Sequence, residues 1–561
     1  MNQTLSPIRL QVLWHRLLAI VEEQAQTIMR AAFCTIVRES GDLSVVLYDR
    51  RGRMLAQAQT GTPGFISTMA DFAGHVLAEV PASAMAPGDA YVTNDPWLAC
   101  GHLNDVAVLS PLFLDDRLVG FVASAAHVVD IGGRGLGPDA GQIYEEGLAI
   151  PIVPLFRGGQ LNETLVSILR LNVREPAQVE GDILALAASN ESGARAVAAI
   201  MREYGLADLE AVSHYIVETS RQGMLAEIGR LAPGTYDFSM TIDGYDAPVE
   251  LAARMAIDAR GIHVDFAGTS PVTTHGINVP LNYSRAYAWF GIKCVVAPEV
   301  PVNAGSLAPV DFEAPENCII NACRPWPVAA RHVVGHMLPD LMIGCLNQAV
   351  PGGCQAESGA ALWGPQFRGG PEVRAMTGLG PDATPRRFTA LTVHSGGCGG
   401  RPGKDGLSAT AFPTNLHTVP VEVIETGVPL IVWRREYRPD SAGAGEFRGG
   451  FGQIVEIGAT DGAPFIVSAM FDRVDHPARG RNGGGDGAPG VVRLASGRKL
   501  RAKGQQIVPP GDRLRLETPG GGGLGDPRRR DPAKIAADIE SGLITGERAP
   551  TGAVGSSTED R

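Results

Sequence analysis

The chain reads as an α+β protein: mixed sheets in several layers, a helical insert and a β-rich C-terminal half. Three observations predict this class. Apolar residues recur at helical spacing in a few separate blocks. Runs of strand length lie between those blocks, and glycine-rich turns crowd the second half. There are 70 glycines and 40 prolines among 561 residues, so much of the chain is loop, where function is often carried. With 44% hydrophobic and 19% charged residues it can bury a large interior, and its length exceeds one core.

Ser6-Pro7 opens the first helix, with serine as cap and proline in the first turn. Leu10, Leu17, Val21 and Ala25 then keep helical spacing to about Ala32. Segments 44–48 and 53–58, around the turn Asp49-Arg50-Arg51-Gly52, predict a β-hairpin. Helical spacing returns over 68–80. A short strand at Ala90-Tyr91-Val92 stops at Asn94-Asp95-Pro96, a turn signal. Segments 106–113 and 118–126, joined by Asp115-Asp116-Arg117, predict paired strands.

Residues 176–231 are helical in pattern, through Ile183, Leu186, Val197, Ile200 and Met201. Strands follow at Tyr236 to Ile242 and Ile262 to Phe266, then helices over 284–296 and 331–350. Pro339 should kink or restart the second of these. From Phe388 to Leu516 the pattern is strand-like, broken by glycine clusters. A polar tail from Arg528 carries a short amphipathic helix at 532–542, and residues 552–561 are expected to be disordered. These shifts divide the chain into 1–175, a helical segment 176–231, a β-rich region 232–527 and a tail 528–561.

The formal net charge of −12 argues against a nucleic-acid partner. The eight cysteines form no CxxC pair and no disulfide framework; Cys34, Cys100, Cys294 and Cys345 read as small core residues. The first residues show no signal-peptide pattern, and no apolar run reaches membrane-spanning length. The expectation is a cytoplasmic protein with no membrane partner.

The chemistry concentrates in Gly101-His102-Leu103-Asn104-Asp105 and Ala126-His127-Val128-Val129-Asp130. Histidine and aspartate bind a divalent cation as a mixed nitrogen–oxygen set. His102 and Asp105 flank the start of one predicted strand, and His127 the end of its partner. In an antiparallel hairpin those ends are neighbours, so the three side chains can converge.

Other candidates read more plainly. Asp42 is, by its surroundings alone, an ordinary turn carboxylate. Of Glu145 and Glu146, one could be a general base, though a solvated surface pair fits the loop better. His332 and His336 have the i, i+4 spacing of a metal pair but no glutamate between them, which favours a packing or substrate-facing role. The stretches 395–406 and 518–526 could cradle an anion through backbone amides, or form tight turns. Neither is a P-loop, and no believable GxSxG elbow is present.

A series of ordered blocks resembles the hydantoinase B/oxoprolinase family, in its B-type (β) component. They are Asn94-Asp95-Pro96, Gly101 to Asp105, Ala126 to Gly133 and Ile143 to Leu148. Further along come Phe266-Ala267-Gly268-Thr269-Ser270, Pro301 to Gly305, Arg401 to Gly406, Val419 to Glu425 and Pro519-Gly520-Gly521-Gly522. The resemblance implies a hetero-oligomeric enzyme. An A-type partner subunit with an actin/hexokinase-like fold would bind ATP, and this chain would carry the metal for a cyclic amide such as a hydantoin, 5-oxoproline or a lactam. It implies Asp42, His102, Asp105 and His127 as ligands of a divalent metal, zinc before manganese or iron. It makes Asp130 the group that orients His127. With Glu146, the candidate general base of its pair, Asp130 is taken as a candidate catalytic carboxylate.

Two alternatives remain at this point: a subunit of an ATP-dependent ketone carboxylase of the acetone or acetophenone type, and a non-catalytic scaffold for the partner. The chain departs from a common family pattern after residue 330. Many members carry an asparagine and then a glutamate–threonine pair there, where this chain has Val333-Val334-Gly335-His336-Met337-Leu338-Pro339-Asp340. If that segment lines the substrate pocket, the substrate differs from that of typical 5-oxoprolinases.

Overall fold

Ser6 caps helix α1 (Pro7–Ala31), its side chain accepting the Arg9 amide at 3.4 Å. A computed structural model describes residues 5–359, 362–371, 373 and 386–545. The terminal stretch 552–561 lies outside the described residues. The chain folds as two units: 1–239, 251–345 and 415–417 in the first, 240–250, 346–414 and 418–561 in the second. The fold is α+β.

A seven-stranded sheet organises the first unit. Its strands are β1 (Leu43–Asp49), β2 (Met54–Gln57), β3 (Ala90–Thr93), β4 (Asp105–Leu114), β5 (Arg117–His127), β6 (Val153–Arg157) and β7 (Gln160–Leu161). Their order is β2-β1-β5-β4-β3-β6-β7, all antiparallel. Helix α2 (Ile66–Glu79) covers one face. There Met69, Phe72 and Val76 meet Val46, Tyr48, Leu109 and Phe121 in one cluster. On the same sheet pack helices α1 and α3 (Pro176–Glu203). Asn190 of α3 donates to the Val108 carbonyl at 2.9 Å, and Gln24 of α1 to the Ser189 carbonyl at 3.0 Å. Gly193 lets α1 and α3 approach: a Cβ there would sit 2.2 Å from Cδ of Gln24. With both faces covered, β4 and β5 are apolar along nearly their whole length instead of alternating.

Helix α4 (Glu210–Ile228) also belongs to this unit, as does α5 (Leu281–Val296). Strand β8 (Gly234–Ile242) precedes β9 (Val249–Asp258), β10 (Gly261–Asp265) and β11 (Val310–Glu313), and β10 pairs antiparallel with β9 and parallel with β11. The helix expected over 331–350 is broken. A four-residue turn, His332–Gly335, is followed by Leu338–Ala349, with Pro339 in the first turn of the second piece. Cys34, Cys100 and Cys345 are buried, but Cys294 is exposed: it falls on the outward side of α5, whose buried face carries Tyr283, Tyr287 and Trp289.

The second unit holds two four-stranded sheets. One runs β13-β12-β16-β18, from β12 (Gln366–Gly369), β13 (Phe388–Leu391), β16 (Phe465–Met470) and β18 (Lys503–Val508). The other runs β14-β15-β19-β17, from β14 (Leu430–Tyr437), β15 (Gln453–Ala459), β17 (Val491–Leu494) and β19 (Leu514–Glu517). Phe367, Phe465 and Val467 of the first sheet and Val455, Ile457, Leu514 and Leu516 of the second share one core with Trp363 and Phe471.

Beside this sandwich the glycine runs form a lattice of extended segments. Gly397 donates to the Pro519 carbonyl at 3.0 Å, Gly400 to Gly522 at 2.8 Å, Gly521 to Gly450 at 3.0 Å and Gly523 to Gly485 at 2.8 Å. The amides an anion cradle needs are therefore committed to neighbouring carbonyls, and these loops are structural.

Candidate metal centre

Register brings the ligating residues together. In the β4–β5 hairpin, Asp105 stands directly opposite His127. Two residues with positive φ, Asp115 (47°) and Asp116 (62°), form the turn at its far end, as a two-residue hairpin loop requires. Past the strand ends, the Val128 amide donates to the Asn104 carbonyl at 2.7 Å. His102 lies in the preceding loop, which buried Asn94 fastens through the carbonyls of Leu103 (2.8 Å) and Leu148 (2.9 Å). Asp42 stands just before β1, and its backbone carbonyl accepts the His127 amide at 3.1 Å.

The ligating atoms of His102, Asp105 and His127 lie within 4.8 Å of one another, and all three residues are buried. Nε2 of His102 is 2.8 Å from Oδ1 of Asp105, without the geometry of a hydrogen bond. Nδ1 of His127 is 3.1 Å from that same oxygen. Oδ2 of Asp42 stands further out, 4.0 Å from His127 Nδ1.

The surrounding groups set the protonation states. The Ala329 carbonyl is 2.9 Å from Nδ1 of His102 and accepts its N–H, leaving a lone pair on Nε2. Burial, reinforced by the Arg331 guanidinium, pushes this ring down to about 4, so it is neutral. Burial acts to raise Asp105, but His102 and Arg331 outweigh it and hold the carboxyl below the usual carboxylate range. Arg331 ion-pairs with Oδ2 of Asp105, leaving Oδ1 to face the two imidazoles. Burial pushes Asp42 up to about 6 against the opposing pull of His127. Two buried imidazole nitrogens, Nε2 of His102 and Nε2 of His127, have no hydrogen-bond partner. The first of them lies beside the Asp105 carboxylate, and an orphaned nitrogen there is a donor that fits a divalent cation.

The other sequence candidates fall in different places. Asp130 is bound to Arg174 (Oδ1 to Nη1, 2.7 Å) and to the Gly132 amide, so the carboxylate beside His127 is Asp105 and not Asp130. Glu145 is the surface member of its pair and holds Arg134. Glu146, expected at the surface, is buried: its Oε1 accepts the amides of Val328 at 2.6 Å and Ala329 at 2.8 Å. Burial raises it to about 8 despite those amides. It thus pins the peptide whose carbonyl orients His102.

His332 and His336 lie on the broken helix with ring centroids 5.5 Å apart and do not join the ligand cluster. His336 meets the Tyr283 hydroxyl at 3.3 Å. Burial, with His336 and Arg331 adding to it, holds His332 well below the usual histidine range. Sequence reasoning passed over Arg331 and Tyr283, whose ring lies 4.0 Å from the guanidinium carbon. The signal for them was a lone arginine inside the apolar run Val328 to Val334.

This geometry meets an independent finding. The family model described as hydantoinase B/oxoprolinase matches residues 6–527. The chain belongs to the hydantoinase B/oxoprolinase family. Among its relatives, the putative D-/L-hydantoinase B component of Pseudomonas sp. (strain NS671) is 30% identical, over 97% of this chain and 94% of that one. The β component of caprolactamase from Pseudomonas jessenii is 28% identical, over 97% and 94%. The 5-oxoprolinase 1 of Arabidopsis thaliana is 27% identical over 92% of this chain, which spans 42% of that longer protein. The crystal structure of ATP-dependent caprolactamase from Pseudomonas jessenii superposes with a TM-score of 0.89 at 25% identity, covering 100% of this chain and 98% of that one. Acetone carboxylase shares the fold, with a TM-score of 0.84 at 20% identity. Among the described residues no helix is long and apolar enough to cross a membrane.

Proposed function

We propose that this chain is the metal-holding subunit of an ATP-dependent cyclic amidohydrolase, with ATP bound by an A-type partner subunit. The reaction would take a cyclic amide, ATP and two waters to the ring-opened carboxylic acid, ADP and phosphate. One observation carries the reading: the buried, neutral His102 keeps an unpaired Nε2 beside Asp105 Oδ1, with His127 Nδ1 on the same oxygen. The relatives named as components of hydantoinase and caprolactamase support the substrate class and the partner.

His102, Asp105 and His127 would hold the ion, with Asp42 closing the set. The cation, zinc by its donor set, would polarise the amide carbonyl or acidify a bound water. The Ala329 carbonyl fixes the His102 tautomer, and Arg331 keeps Asp105 ionised. Both leave the reactive lone pairs aimed inward before any substrate arrives, the preorganisation that a polar site needs.

The test is to co-express the chain with its A-type partner, measure bound metal, and follow ATP hydrolysis across lactams, hydantoins and ketones. Stoichiometric divalent metal and ring opening without bicarbonate are expected. His102→Ala and His127→Ala should lose both metal and turnover while the assembly still forms. Full activity in a metal-free His127→Ala assembly rejects the mechanism, and turnover that requires bicarbonate replaces it with carboxylation.

A further inference from the structure

Arg331 could spoil the site it serves. A guanidinium facing a carboxylate commonly takes both oxygens at once, in a forked pair. Here the second oxygen is Oδ1 of Asp105, which lies 2.8 Å from Nε2 of His102 and 3.1 Å from Nδ1 of His127. A forked pair would cover the oxygen that faces the two imidazoles. Arg331 instead gives Asp105 a single hydrogen bond, to Oδ2, and turns its Nε to the Cys100 carbonyl at 3.1 Å.

Tyr283, near the start of α5, accounts for that restraint. Its ring lies 4.0 Å from the guanidinium carbon, and both side chains are buried. A cation over an aromatic face is held more strongly in such a dry setting than at a surface. The ring is itself fixed. Its hydroxyl is 3.3 Å from Nε2 of His336, and its centroid is 5.0 Å from that of Tyr287. Three glycines leave room for the pair. A Cβ at Gly335 would stand 2.7 Å from Cε1 of Tyr283, and one at Gly64 2.9 Å from Cε2. A Cβ at Gly101 would stand 2.6 Å from Nε of Arg331. Gly101 also has φ of +89°, a backbone conformation that strains other residues. Segments far apart in the chain thus give up side chains at the places where Tyr283 and Arg331 pack.

We propose that Tyr283 is a positioning residue of the metal centre: it holds Arg331 to one oxygen of Asp105 and so keeps the other oxygen open to a cation. Without the ring, the guanidinium can swing into the forked pair and compete with the ion for Oδ1. The inference rests on the metal-holding role proposed above, deepens it by adding a residue outside the ligand set, and can fail separately from it.

The experiment uses the full chain in its assembly with the A-type partner, stripped of metal and titrated with zinc against a chromogenic chelator. Melting curves show which variants fold. Tyr283→Met fills similar space without a ring face. It should bind zinc about tenfold more weakly, within the worth of a buried cation–π contact. Tyr283→Phe keeps the face but loses the hydroxyl that meets His336, so its melting temperature should fall while its zinc affinity stays near wild type. Gly335→Ala, which pushes on the ring edge, should weaken zinc in the same direction, and it stands in for Tyr283→Met if that variant does not fold. Arg331→Met removes the guanidinium, and on that background Tyr283→Met should weaken zinc no further. The inference is overturned if folded Tyr283→Met or Gly335→Ala binds zinc as wild type does, if Tyr283→Phe loses as much affinity as Tyr283→Met, or if the loss persists without Arg331. A wild type that takes up no divalent cation would instead remove the reading on which the inference rests.

Discussion

The candidate metal centre and the glycine lattice solve opposite problems with the same chain. Around His102 most depends on side chains: one guanidinium and two imidazoles, with one backbone carbonyl, are set so that certain lone pairs stay unused. In the lattice most bonds run from backbone to backbone. Backbone amides of Gly397, Gly400, Gly450, Gly521 and Gly522 donate to backbone carbonyls of neighbouring segments, and the space between segments is too small for a methyl group. The first region is stabilised in spite of unsatisfied atoms; the second because almost none remain. Function concentrates where polar groups are left wanting, and rigidity where they are not.

Substitutions sharpen that contrast. The largest expected effect is in the lattice. A Cβ on Gly521 would lie 1.9 Å from the Cys398 carbonyl oxygen and 2.3 Å from its carbon. Both are backbone atoms, so Gly521→Ala should cost several kcal/mol or prevent folding. Thermal denaturation of the variant beside wild type measures it, and an unchanged melting temperature would show that the lattice can open.

Next comes the support of the metal site. Glu146 pins the amides of Val328 and Ala329, and Ala329 orients His102. Glu146→Ala should weaken metal binding by about 10- to 100-fold, read by chelator competition. Glu146→Gln, which keeps the accepting oxygen, should stay near wild type. A purely structural role would lower the melting temperature of the alanine variant and leave its metal affinity alone.

The same residue predicts a pH dependence. Its carboxyl is raised to about 8, above its ordinary value of 4.5, so the folded state binds the proton more tightly than the unfolded one. That contribution to stability is complete below pH 4.5 and is lost as the pH rises through 8. Denaturant melts from about pH 4.5 to 9 should show the fall in wild type and less of it in Glu146→Gln. Equal slopes would mean that another group carries it. The smallest effect belongs to Gly403, a lattice-region turn with φ of +75° and open space where a Cβ would stand. Gly403→Ala should cost only about 1 kcal/mol, for the left-handed backbone alone.

Much of the first region was legible because hairpin arithmetic is local. Asp105 and His127 could be placed together from strand length and a turn signal, and Ser6-Pro7 marked the first helix. What escaped was long-range. That Glu146 is buried depends on residues 328 and 329, more than 180 positions away. The resemblance made Asp130 the group that orients His127, yet Arg174 claims it. The glycine runs, open in the sequence to either tight turns or an anion cradle, are extended segments packed on one another, since a backbone-to-backbone lattice leaves no hydrophobic period to read.

One consequence follows from the Asp115-Asp116 turn. The strand that leads from Asp105 to it is ten residues long, and the strand that runs from it to His127 is eleven. Side chains alternate faces along a strand, so a slip of one position would send one ligand to the opposite surface of the sheet. The bend thus works as a ruler, and the distance it measures is the one across which an ion must be gripped.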